Sequence, residues 1–159
     1  MVSLAGRVLS DVHVERQKDE SLIYENEQTL ANERSVITGV ADKWGVSVVK
    51  LPRRYSADFA LLRGKEIMAW AELKSRANPI HTFSTYQVSL HKYMALVSIS
   101  RDTGIPSFLI VDWQDCIGYI QVPTPIGIVF GGTTKRGDWE DKEPMIEIPI
   151  SDFKIVARK

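Results

Sequence analysis

A length of 159 residues suits a single domain, and at that size a chain buries about two-thirds of its unfolded surface without help from disulfides or a structural metal. With 44% hydrophobic and 25% charged residues, the composition is that of a soluble globular protein; the single cysteine, Cys116, excludes an intramolecular disulfide, and His13, His81 and His91 are too scattered for a zinc site. The net charge is zero, yet 8 basic against 3 acidic residues fall between Lys50 and Lys92, with acidic excess on either side, so the middle of the chain is suited to a local anionic partner.

Met1 to Asp19 lacks a charged-apolar-small leader pattern, and no apolar run approaches the roughly 18 residues that span a bilayer. These observations lead us to expect no membrane partner and a cytoplasmic location, or the host cytoplasm for a viral protein. No repeat or linker divides the chain, so residues 1–159 read as one domain, with 1–18 as a short strand or loose arm.

From about Asp19 to Trp44 the apolar residues Leu22, Ile23, Leu30, Ile37, Val40, Ala41 and Trp44 recur at helical steps, and Gly45 stands where a C-cap glycine is expected. Val46 to Leu51 reads as a strand ended by Pro52. Ser56 to Leu62 and Glu66 to Lys74 read as an antiparallel hairpin around Arg63-Gly64-Lys65. A loop with Asn78-Pro79 precedes an expected helix from Ser84 to Ser100, with Ser84 as its cap. Ile105 to Trp113 has the continuous apolar character of a buried parallel strand, and Cys116 to Val122 reads as another. Residues 123–145 read as loop, Met145 to Ile150 as a last strand and Ser151 to Lys159 as a tail. The order predicts an α/β fold, with a mixed central sheet flanked by helices.

Side chains alternate across a strand, so Glu72 and Lys74 share one face, while Ile67, Ala69, Ala71 and Leu73 form the other. Asp58, in the neighbouring strand of the hairpin, can lie beside Glu72. Two carboxylates a few ångströms apart repel by about 4 kcal/mol at an effective dielectric near 20. Lys74 offsets part of that, and a divalent cation offsets more; the oxygen donors suit Mg²⁺ or Mn²⁺. Phosphodiester hydrolysis uses these parts: a metal to neutralise the phosphate and activate water, and an ammonium to stabilise charge that builds in the transition state.

Asp58, 13 intervening residues, then Glu72-Leu73-Lys74 resembles the PD-(D/E)XK nuclease superfamily, whose core is a helix, a three-stranded meander, a helix and a further strand. The resemblance covers roughly Ala31 to Trp113. Ala57 stands where the family's name implies proline. The resemblance implies a restriction-endonuclease-like core and a Mg²⁺- or Mn²⁺-dependent nuclease. Asp58, Glu72 and the backbone carbonyl of Leu73 would ligate the metal, and Lys74 would be the catalytic lysine. It also implies a first-helix glutamate of the kind archaeal Holliday-junction resolvases use, for which Glu33 is the candidate and Glu27 and Glu25 are alternatives. Gln87 would supply the glutamine that many relatives carry on the next helix, with His91 and Lys92 one turn on.

DNA, branched or otherwise structured, is then the expected substrate and a homodimer the expected assembly. RNA cleavage and a non-cleaving nucleic-acid-binding module are the alternatives. Compact stand-alone nucleases of this kind are frequent in phages. Arg53, Arg54, Lys65, Arg76 and Lys92 are candidate phosphate contacts or solvated charges. Trp70 and Phe83 either stack on bases or pack in the core.

Overall fold

The computed structural model describes residues 27–132 and 142–159. The chain divides into two compact units, Met1–Val36 and Ile37–Lys159. In the first, the described residues 27–36 are helical, and this helix, α1, continues to residue 44. It stops because Gly45 takes a left-handed backbone (φ 67°). The Val46 N–H then reaches the Ala41 carbonyl at 3.0 Å and the Gly45 N–H reaches Asp42 at 3.2 Å, which satisfies the last carbonyls in the Schellman manner.

The larger unit holds β1 (Ser47–Lys50), β2 (Phe59–Arg63), β3 (Glu66–Ser75), a 3-10 turn (Ile80–Thr82), β4 (Thr85–Ser89) and α2 (Leu90–Thr103). These are followed by β5 (Ser107–Asp112), β6 (Cys116–Val122), β7 (Gly127–Gly132), β8 (Lys142–Pro149), a second 3-10 turn (Ile150–Asp152) and β9 (Lys154–Arg158). Six strands form one sheet in the order β1-β2-β3-β5-β6-β9; β4-β8-β7 form a second. Among the described residues only β3 and β5 run parallel, joined by the crossover that contains α2; the other pairs in both sheets are antiparallel. The β2–β3 hairpin closes through Gly64-Lys65 with positive φ at Gly64 alone, the pattern of a type II′ turn.

The two faces of the large sheet are covered differently. Phe108 pairs with Ala71, and its ring lies 5.5 Å from that of Trp44, which also meets Tyr119 at 5.0 Å; this face carries the C-terminal turns of α1. On the opposite face Trp70, Leu109, Val111 and Ile120 share one core with Leu96 of α2 and with Tyr86, Val88, Ile146 and Ile148 of the small sheet. Register explains that second contribution: Tyr86 lies opposite Ile148 and Val88 opposite Ile146, so one face of β4–β8 is wholly apolar. Tyr86, Trp113 and Phe153 close the core with three edge-on ring contacts of 5.1–5.8 Å.

Three expectations are corrected. The segment from Ser84 to Ser100 is not one helix: Thr85–Ser89 is strand, and α2 begins at Leu90. Alternation of buried Tyr86 and Val88 with exposed Gln87 over five residues is too short a signal to stand out beside a helix that follows without a break. Residues 123–145 are not all loop, since β7 occupies Gly127–Gly132 and β8 starts at Lys142; residues 133–141 lie outside the described residues. The tail from Ser151 to Lys159 is not free, because β9 pairs with β6 and closes the large sheet. The expected arm 1–18 and the helix start near Asp19 lie outside the described residues. Among the described residues no helix is long and apolar enough to cross a membrane.

The β6–β9 edge depends on one close approach. A Cβ on Gly118 would sit 2.9 Å from Trp113 Cζ3 and 3.2 Å from the Lys154 carbonyl oxygen. Trp113 is 1% exposed and has no room to retreat. Gly118→Ala is therefore expected to destabilise the protein by about 1–3 kcal/mol. Urea unfolding checks this, and an unchanged midpoint would contradict the packing described.

Candidate active site

The site is built on β3, which lies between β2 and β5 in the large sheet. Its alternation puts Ala69, Ala71 and Leu73 on the α1 face and Trp70, Glu72 and Lys74 on the other. Glu72 is 1% exposed, one of two buried residues among the described ones that are not hydrophobic. A carboxylate removed from water is costly unless charge or hydrogen bonds replace its hydration. Charge does so here: Lys74 Nζ lies 2.8 Å from Glu72 Oε1, and Lys92 Nζ, from the first turn of α2, lies 3.4 Å from the same atom. Among the described residues neither Glu72 oxygen accepts an aligned hydrogen bond. The lysine approaches are charge contacts that leave the lone pairs undirected.

Asp58 sits just ahead of β2. Its N–H donates to the Ala71 carbonyl at 3.1 Å and its own carbonyl accepts from Leu51 N–H at 2.8 Å, which ties its backbone between β1 and β3. Phe59 is the register partner of Ala71, so Asp58 and Glu72 are the next residues outward on adjacent strands. Asp58 is partly exposed, and its Oδ1 lies 3.9 Å from Lys50 Nζ.

The residues fit a hard divalent cation on chemical grounds. Glu72 offers two buried oxygens without aligned hydrogen bonds, and Asp58 a second carboxylate from the next strand. Among the described residues no group of three or more His, Cys, Asp and Glu side chains converges to hold a metal. The expected set has two side-chain carboxylates and one backbone carbonyl, and so falls below that number.

The remaining candidates separate. Gln87 does not sit on the helix after the lysine motif: it is on β4, exposed, with its Nε2 donating to Glu147 Oε1 at 2.9 Å. Lys92 has a second role, because its ammonium reaches Glu72 rather than only solvent. Arg53 and Arg54 are exposed in the β1–β2 connection that leads to Asp58. Arg76 follows the end of β3; its guanidinium lies 4.8 Å from the Tyr86 ring centroid and donates to the Gln87 carbonyl at 3.2 Å. Glu33 and Glu27 lie on α1 within the first unit, Glu33 four residues before buried Ile37, and Glu25 is outside the described residues. Trp70 is core: it is 8% exposed and its indole N–H donates to Thr103 Oγ1 at 3.1 Å. Phe83, at 64%, is exposed, as are His81 and His91.

A family model described as "Phage putative PDDEXK endonuclease" matches residues 20–156. Among solved structures, Hjc, a Holliday junction resolvase from the archaeal hyperthermophile Archaeoglobus fulgidus, matches with a TM-score of 0.49 and 15% identity over 75% of this chain and 88% of that one. No curated protein sequence matches.

Sequence reasoning passed over Tyr86. Alternation within Thr85–Ser89 is the signal that puts it on the inner face of β4. Burial pushes its phenol up from the ordinary 10.0 to about 12; the Arg76 guanidinium works against the rise and the Glu72 carboxylate adds to it. The folded state thus holds this proton after the unfolded chain has released it. The corresponding stability is intact below pH 10 and declines as pH climbs towards 12. Tyr86→Phe is expected to make that decline shallower in denaturant titrations across the interval, and an identical decline would remove Tyr86 as its source.

Proposed function

Because the chain belongs to the phage PDDEXK endonuclease family, and is accordingly a nuclease of the PD-(D/E)XK superfamily, we propose that it hydrolyses phosphodiester bonds in DNA with Mg²⁺ or Mn²⁺ held beside Glu72. The observation that carries this reading is the buried Glu72 carboxylate, free of aligned hydrogen bonds, with two ammonium groups on one oxygen. Asp58, Glu72 and the Leu73 carbonyl would hold the ion, which when bound neutralises and polarises the phosphate. Glu33 is a proposed further ligand.

Lys74 does what an ammonium can do from that position. Its backbone is fixed by β3, and its ammonium, seated on Glu72 Oε1 in this structure, would turn to supply positive charge where negative charge builds on the phosphate. Lys92, from α2, adds a second charge of the same sign beside Glu72. Arg53, Arg54 and Arg76 flank the strand ends and are proposed phosphate contacts, which fix the register of the nucleic acid without reading its sequence. Gln87 keeps a proposed supporting role from β4. We further propose branched or structured DNA as the preferred substrate, a homodimer as the acting form, residues 1–159 as one nuclease domain, and the cytoplasm, or a host's, as the place of action.

The test uses purified full-length protein with supercoiled plasmid, single-stranded DNA, a four-way junction and RNA, each with Mg²⁺, Mn²⁺ or chelator. Metal-dependent cleavage of DNA is expected. Lys74→Ala should lower the rate about 10²- to 10³-fold. Binding that persists without cleavage under any metal would favour a silent nucleic-acid-binding module, and full activity in Lys74→Ala would remove Lys74 from the chemistry.

A further inference from the structure

We infer that the cavity beside Arg76 receives an unstacked nucleobase from the strand being cut. This rests on the nuclease reading above for its substrate class. The cavity, of about 450 Å³, is lined by Arg76, Asn78, Phe83, Tyr86, Gln87 and Trp113 among others. Its size is within the range of sites that enclose small organic groups.

An exposed aromatic side chain marks it as a receptor for a flat, polar-edged group. Tyr86 lines the cavity, but it is 3% exposed and its Oη is buried, without a hydrogen-bond partner among the described residues and out of a guest's reach. Phe83, a large hydrophobe that also lines the cavity, is 64% exposed. An exposed aromatic face is a platform on which any base can stack.

The polar groups around it suit base edges. Arg76 uses one N–H on the Ser75 carbonyl and one on the Gln87 carbonyl, at 3.1 and 3.2 Å, so most of its five N–H donors remain for a ligand. Asn78 donates its Nδ2 to the Pro79 carbonyl at 2.8 Å and keeps its Oδ1 as an acceptor.

Position links the cavity to the chemistry. Glu72, Lys74 and Arg76 succeed one another at two-residue steps, so Arg76 stands about 7 Å from Lys74 and about 13 Å from Glu72 along the strand direction. Stacked DNA rises 3.4 Å per nucleotide, which puts the captured base within about two to four nucleotides of the cut. A base paired in duplex cannot enter. Extrusion is easiest where the base is mismatched, unpaired or at a branch, so the cavity would select such DNA by the ease of unstacking.

The experiment measures binding by fluorescence anisotropy, in chelator so that nothing is cut. The probes are an end-labelled single strand, the same strand in a matched duplex, and single strands carrying one abasic site at successive positions. Phe83→Ala removes an exposed ring and leaves the fold intact. It should weaken single-strand binding about tenfold and duplex binding less than about twofold. One abasic position should cost the wild type a similar factor and cost Phe83→Ala nothing further.

Equal loss on single strand and duplex, no loss on either, or no abasic position that matters would overturn the assignment. The two readings fail separately. Absence of cleavage with the abasic and Phe83→Ala effects coinciding would sink the nuclease chemistry and keep the cavity, whereas normal metal-dependent cleavage without those effects would sink the cavity alone.

Discussion

A carboxylate buried in the middle of a sheet is the constraint on which the rest of the site depends. Glu72 is 1% exposed, and its charge is compensated by two lysines from different elements. A buried ion pair is seldom a gain in stability over a hydrophobic replacement. Its presence is therefore better explained by chemistry than by folding, in line with the way functional sites depart from optimal stability. The fold serves this point directly. Parallel pairing of β3 with β5 requires a crossover, the crossover is β4 plus α2, and the first turn of α2 carries Lys92 to the carboxylate.

The small sheet has a comparable dual role. Its apolar face, Tyr86 and Val88 with Ile148 and Ile146, completes the core against the large sheet. The same strand β4 brings the Tyr86 ring under Arg76 and so builds the wall of a cavity at the end of β3. Charge and aromatic surface thus gather just beyond the end of β3, the strand that carries Glu72 and Lys74.

Much of this was legible in the sequence for identifiable reasons. β3 is a ten-residue strand, and the two-residue period of any strand assigns Glu72 and Lys74 to one face without coordinates. Gly64 and Gly45 marked a turn and a helix end because left-handed backbone favours glycine there. The apolar run near Ile105 announced the parallel strand. What escaped notice was short or non-local. Thr85–Ser89 merges into α2 with no breaker between them, and the misreading carried Gln87 onto a helix it does not occupy. β9 is held by pairing with a strand more than thirty residues earlier, which no local pattern encodes. The seating of Lys92 on Glu72 depends on how α2 packs over β3, and spacing along the chain does not report it.

The most direct test of the account is anomalous difference density from crystals grown with Mn²⁺. The account requires a peak between the Asp58 and Glu72 carboxylates, with Lys74 displaced from Glu72 towards the phosphate side. No peak there, with Lys74 still seated on Glu72 Oε1 and manganese bound elsewhere or nowhere, would contradict it.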